Sequence, residues 1–148
     1  MPLWQLFYHI VWSTQYRECR LSPEIEPFAH ELLRGKALGM GAKVFALNGM
    51  PDHVHIVAAI PPKVALSTFI GGLKGYSSNR LNHAGLLDQP FFWQDEYAIF
   101  SFDAKRLPRY VAYVENQKTH HAQNTLIPIL ERAGEVVSCS SGLPGDST

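Results

Sequence analysis

"NGMPDHVHIVAAIPP", residues 48–62, holds the arrangement from which the rest of the chain is read. Apart from His53 and His55, the run to Ile60 is β-branched or small and apolar, of strand length, and Pro61-Pro62 ends it. Asn48-Gly49 followed by Pro51-Asp52 is turn chemistry, and the AKVFALNG stretch that leads into it reads as a second strand, so the two form a hairpin. Successive side chains of a strand face opposite ways. Val54, Ile56, Ala58 and Ile60 therefore make one unbroken apolar face, suited to packed helices, and His53 and His55 share the other with Val57 and Ala59. Two imidazoles so placed suit one shared cation. A bare H-x-H is equally well read as two half-exposed histidines bonded to a turn backbone, because two ligands do not complete a site.

Working outward, LFYHIVWS before the hairpin is aromatic and β-branched and reads as a strand. Between the two lies a helix. Ser22 is its candidate N-cap, Pro23 its first residue, and Glu24 and Glu26 favour its first turn; Pro27 allows the start to slip, and Gly39 and Gly41 end it. After the hairpin, Leu66, Phe69, Ile70, Leu73 and Leu81 recur at helical spacing, against the poor propensity of Gly71, Gly72 and Gly75. Tyr97 to Phe102 reads as a fourth strand, and KRLPRYVAYVENQKTHH as a last helix with Pro108 in its first turn. The order β-α-β-β-α-β-α is that of an α+β, ferredoxin-like fold: a four-stranded antiparallel sheet, two helices on one face, and an additional C-terminal helix free to cover the other. Residues 1–124 form one domain in this reading, and 125–148 a tail whose Ser/Gly-rich SCSSGLPGDST end is disordered.

With 148 residues and 46% hydrophobic content, the chain can build one real core. Thirteen basic residues balance thirteen acidic ones, which counts against non-specific coating of nucleic acid while leaving room for a local basic path. No apolar run is long enough to span a membrane. The N-terminus lacks the basic region and cleavage site of an export leader, so a cytoplasmic protein is expected. Cys19 and Cys139 fit a reducing compartment better than a disulfide framework. No glycine-rich phosphate loop suggests a nucleotide cofactor.

On the last helix Leu107, Val111 and Val114 make a narrow apolar stripe. Tyr113 and Gln117, four apart, are neighbours to one side of it, and Tyr110 lies closer to the stripe, in a packing position. Spacing alone leaves Tyr113 open between packing and chemistry, and favours packing. His120 and His121 read as candidate ligands or as solvated histidines at a helix end.

Taken together, MPDHVHIV, LKGYSSNRL, FFWQDEYAIFSF and YVENQKTHH, in this order and spacing, resemble the single-tyrosine transposases of small bacterial insertion sequences, members of the endonuclease superfamily named for a His-hydrophobic-His motif. The similarity runs from about Phe7 to His121. A lone H-x-H is weak; joined to Y-x-x-x-Q on a later helix it is specific. The resemblance implies that His53, His55 and Gln117 bind a divalent metal, magnesium or manganese, and that Tyr113 is the nucleophile. It implies single-stranded DNA bearing a hairpin as substrate, a 5′-phosphotyrosine intermediate, and a homodimer whose sites pair the histidines of one subunit with the tyrosine of the other. A phenol with an ordinary pKa of about 10 is a poor nucleophile at neutral pH, so a cation on the phosphate is chemically sensible. Two imidazoles and an amide oxygen are neutral and leave that cation its full charge.

DNA contacts are expected from Arg17, Lys74, Arg80, Lys105 and Arg106, with Arg109 beside them, and from the hydroxyls of Ser77 and Ser78. Trp93 and Tyr97 read as core rather than as base-stacking platforms. Two alternatives remain. One is a domesticated relative that nicks palindromes. The other is a non-catalytic single-strand-binding module, disfavoured because histidines occupy the positions where such a sheet presents aromatics.

Overall fold

A computed structural model of the chain describes residues 3–119; His120, His121 and the 125–148 tail lie outside them. Four strands and three α-helices follow in the order β1 (Phe7–Ser13), α1 (Glu26–Gly39), β2 (Lys43–Met50), β3 (His53–Ala59), α2 (Leu66–His83), β4 (Ala98–Phe102) and α3 (Leu107–Glu115). The strands form one sheet, in the order β2-β3-β1-β4, with every neighbouring pair antiparallel. This is the ferredoxin-like plan with a third helix added. Among the described residues, no helix is long and apolar enough to cross a membrane.

Both faces of the sheet are covered, which is why β3 is apolar or buried along its whole length. On one face Ile10, Trp12, Val54, Ile56 and Ala58 meet Ala29, Leu33 and Ala37 of α1 and Phe69, Ile70, Leu73 and Leu81 of α2. The contact residues recur three to four apart, the period of a helix face. On the other face Val57 and Ala46 pack against Tyr113 and Val114 of α3, with Phe45, Phe100, Phe102, Tyr110 and Val111 around them. A bulge at Phe45, where the β2–β3 register shifts between Val44 and Ala46, lets both Phe45 and Ala46 join this second cluster.

Three details differ from the expected pattern. The β2–β3 turn is Pro51-Asp52 alone, and Asn48 and Gly49 stay in the ladder opposite His55 and Val54. Gly49 is required there by close approach rather than by a turn: a Cβ would lie 2.3 Å from the carbonyl oxygen of His53. Helix α1 begins at Glu26, after Ser22 has opened a turn by accepting from the N–H groups of Ile25 and Glu26. Helix α3 closes at Glu115; Asn116 forms a turn and helical backbone resumes at 117–119. Cys139 lies outside the described residues.

Candidate active site

β3 begins directly after the two-residue turn, so His53 and His55 sit where the strand enters the sheet, facing α3. His53 is 1% exposed and His55 0%. Each ring is held through Nδ1. His53 Nδ1 lies 2.7 Å from Asp52 Oδ1, and His55 Nδ1 lies 2.8 Å from Nε2 of His9. The two rings meet edge to face, with centroids 5.0 Å apart. Asp52 is itself clamped: Nε of Arg17 donates to its Oδ2 at 3.3 Å, and the guanidinium also lies 3.4 Å from His53 Nδ1. Burial alone would raise the Asp52 pKa. The hydrogen bond and charge of His53, with those of Arg17, outweigh it and hold the carboxyl below its ordinary value.

Helix α3 brings the other half. Tyr113 is buried, its ring centroid 6.1 Å from that of His55 and 6.4 Å from that of His9, edge-on to both. Gln117 is wholly buried one turn later, and its Nε2 makes a long 3.5 Å bond to the Tyr113 carbonyl. Tyr110 packs as the stripe implied, stacked on Phe102 at 4.2 Å. The helix end is fastened to β2 by Asn48 Nδ2, which donates to the Glu115 carbonyl at 3.0 Å. Lys118 Nζ, just beyond, donates to the Gly49 carbonyl at 2.9 Å and pairs with Glu26 at the same distance.

This donor set fits a divalent cation on one observation. Metal-bound histidines hold their second nitrogen in a hydrogen bond to a fixed acceptor. Here the Nδ1 of each histidine lies within hydrogen-bond distance of a buried side chain, Asp52 for His53 and His9 for His55. Among the described residues, no three His, Cys, Asp or Glu side chains are grouped to hold a metal, so a third ligand drawn from these residues would be of another type, such as the Gln117 amide.

The expected DNA contacts divide. Arg80 is exposed, its guanidinium over the Tyr76 ring at 5.1 Å. Lys105, Arg106 and Arg109 are exposed at the start of α3, Arg106 paired with Asp103 at 3.3 Å. Ser78 returns its hydroxyl to the Gly75 carbonyl. Three others are used inside the protein. Arg17 belongs to the Asp52 clamp. Ser77 is fully buried, between the Leu73 carbonyl and the Trp93 indole N–H. Lys74 donates to the carbonyls of Gln94, Asp95 and Glu96 at 2.7, 3.2 and 3.0 Å, which uses all three of its N–H groups and staples the loop before β4. Burial lowers its pKa to about 8, against the pull of Asp95 and Glu96. Trp93 is core, as expected; Tyr97 is 39% exposed. The sheet face that a base-stacking module would leave open is covered by α3.

Sequence reasoning missed His9 and the structural part played by Asp52. The signal for His9 was a polar residue in the middle of an apolar strand, which demands a buried partner.

Fold and site together define a class. The structure matches a crystal structure of a transposase from Deinococcus radiodurans with a TM-score of 0.64 at 30% identity, over 78% of this chain and 93% of that one. It matches a REP-associated tyrosine transposase bound to a REP hairpin with a TM-score of 0.61, over 97% and 98% of the two chains, at an identity of 15% that speaks to the fold alone. Residues 2–117 match the family model described as "Transposase IS200 like", and the chain belongs to that family. The ISDra2 transposase TnpA of Deinococcus radiodurans is 29% identical over 120 residues, 78% of this chain and 86% of that protein. The transposase for insertion sequence element IS200 of Salmonella typhimurium is 33% identical over 75 residues, 51% of this chain and 49% of that protein.

Proposed function

We propose that this transposase cleaves and rejoins single-stranded DNA through Tyr113, with a divalent metal, magnesium or manganese, held by His53, His55 and Gln117. The observation that carries the reading is the meeting of buried His53 and His55 of β3 with the ring edge of buried Tyr113 of α3, 6.1 Å from His55 between centroids, with buried Gln117 one turn further along the chain. Membership of the family and the two ring-orienting bonds at Nδ1 support it.

In this reading the Tyr113 phenol loses its proton and its oxygen attacks phosphorus. An O–P bond to tyrosine forms, the bond from phosphorus to the 3′-oxygen breaks, and the leaving 3′-oxygen takes up a proton. The product is a 5′-phosphotyrosine and a free 3′-OH. One ester replaces another, so a second 3′-OH can reverse the step on a new strand without ATP. When bound, the metal withdraws electrons from a non-bridging phosphate oxygen and stabilises the charge that develops there. Asp52 and His9 hold the imidazoles, and Asn48 holds the helix that carries the nucleophile. Because the four side chains are buried, a DNA strand has to displace what covers them. Exposed Arg80, Lys105 and Arg106 supply cations for the strand, and a hairpin next to the cleavage site supplies the specificity. The working form is expected to be a homodimer.

The test is incubation with hairpin-bearing single-stranded oligonucleotides and manganese, followed by denaturing electrophoresis. A covalent protein–DNA band is expected with the wild type. Tyr113→Phe should abolish it and retain hairpin binding. A band that survives in Tyr113→Phe overturns the assignment of the nucleophile.

A further inference from the structure

The bond between His9 and His55 can run in two directions, and only one is compatible with chemistry at the site. A neutral imidazole carries one proton on two nitrogens. If His9 Nε2 donates to His55 Nδ1, then His55 holds its own proton on Nε2 and has no lone pair for a cation. If His55 Nδ1 donates, His55 Nε2 is bare, and His9 must carry its proton on Nδ1 so that its Nε2 can accept. The 2.8 Å separation makes this a full hydrogen bond, in a place with no solvent to compete, since both residues are 0% exposed.

His9 is built to hold this role. In the β1–β3 ladder it faces Val57, with His55 facing Val11, so the two histidines are diagonal neighbours on the α3 face. Their rings lie nearly parallel, 9° apart with centroids at 5.0 Å. Phe100 and Tyr110 flank His9 at 6.1 and 5.7 Å, and the edge of Tyr113 closes the cage. The His9 side chain has little freedom to leave. Asp52 does for His53 what His9 does for His55, with a carboxylate in place of an imidazole.

We infer that His9 is a positioning residue: it accepts the Nδ1 proton of His55 and so fixes the tautomer that turns the bare Nε2 of His55 to the metal. This rests on the metal reading of the site given above. Two readouts test it on the full chain. The first is two-bond nitrogen–proton NMR on the metal-free wild type. His55 is expected as the Nδ1–H tautomer, and an Nε2–H tautomer overturns the inference. The second is calorimetric titration with manganese, with unfolding temperatures measured alongside. His9→Phe keeps the packing and loses the acceptor, and should weaken manganese binding about 10- to 100-fold. His9→Gln restores an acceptor oxygen and should recover much of that loss. Wild-type affinity in His9→Phe, or a folded His9→Gln that binds as poorly as His9→Phe, overturns the inference. If the wild type takes up no manganese, the metal reading fails instead, and the NMR result still decides the direction of the bond.

Discussion

Tyr16 and Arg17 have φ values of +58° and +52°, the left-handed region that costs an L-residue with a β-carbon about 1 kcal/mol or more. Arg17 has a visible reason: its guanidinium reaches the Asp52–His53 pair only because the chain turns back there. Tyr16 is 76% exposed and packs little, so its strain is not offset by burial. Tyr16→Gly should therefore raise stability by about 1 kcal/mol, read from urea unfolding, since glycine enters this region freely. Unchanged stability would show that Tyr16 is not strained. At this scale the sequence was partly legible. Spacing paired His53 with His55 and Tyr113 with Gln117 as neighbours, and the family resemblance alone gave them roles. His9 was not marked, because its meaning depends on which residue of β3 lies diagonal to it, and register is not encoded locally. The internal use of Lys74 and Ser77 was hidden for the same reason: the carbonyls and the indole they serve arrive from Trp93 to Glu96, on the far side of the α2–β4 connection.

The elements themselves were readable where one period dominated. β3 is bounded by a turn and by two prolines, and α2 keeps its stripe of Phe69, Leu73, Ser77 and Leu81 despite three glycines. The errors fell where a residue with strong turn preference was needed for something else. Asn48 is a favoured turn residue, yet here its amide closes α3 and its oxygen accepts from Lys118 at 3.2 Å. Helix α1 shows how such a tie changes titration. His30 is pushed down to about 4 by burial first, then by the positive charges of Lys118 and Arg34. Glu26, 3.9 Å away, would pull it upward, but that carboxylate already pairs with Lys118 at 2.9 Å. The sign follows from linkage. The unfolded chain takes a proton on this histidine as pH falls through about 6.5, whereas the folded chain refuses it until about 4, so stability drops across that interval. His30→Gln should remove this component, up to about 3 kcal/mol at the acid end for a shift of this size. The check is denaturant unfolding of both proteins from pH 7 to pH 4; parallel stability curves would refute the assignment.

For the molecule as a whole, the open matter is which chain owns each helix α3. The described chain packs its own: Val114 is fully buried on the sheet, Tyr110 stacks on Phe102, and Asn48 and Lys118 tie the helix end to β2 and α1. All these contacts would be kept if two chains exchanged this helix, since a swapped copy meets an identical surface. The family resemblance points to that exchange, and the connection that would have to straighten is the short segment Asp103–Arg106. The described chain keeps at this connection a 3-10 turn, Ala104–Arg106, which an exchange would have to undo. We therefore expect His53, His55, Tyr113 and Gln117 of one chain to form one site. Mixing His55→Ala with Tyr113→Phe distinguishes the cases without any structure. If each chain builds its own site, every site in the mixture lacks either a histidine or the nucleophile, and no covalent DNA adduct forms. If the helices are exchanged, a mixed dimer has one site with the histidines of Tyr113→Phe and the tyrosine of His55→Ala, and adduct returns. The expected result is no recovery after co-refolding at equal concentrations. Recovered adduct, carried by the His55→Ala polypeptide, would assign α3 to the partner and make Asp103–Arg106 the hinge of the swap.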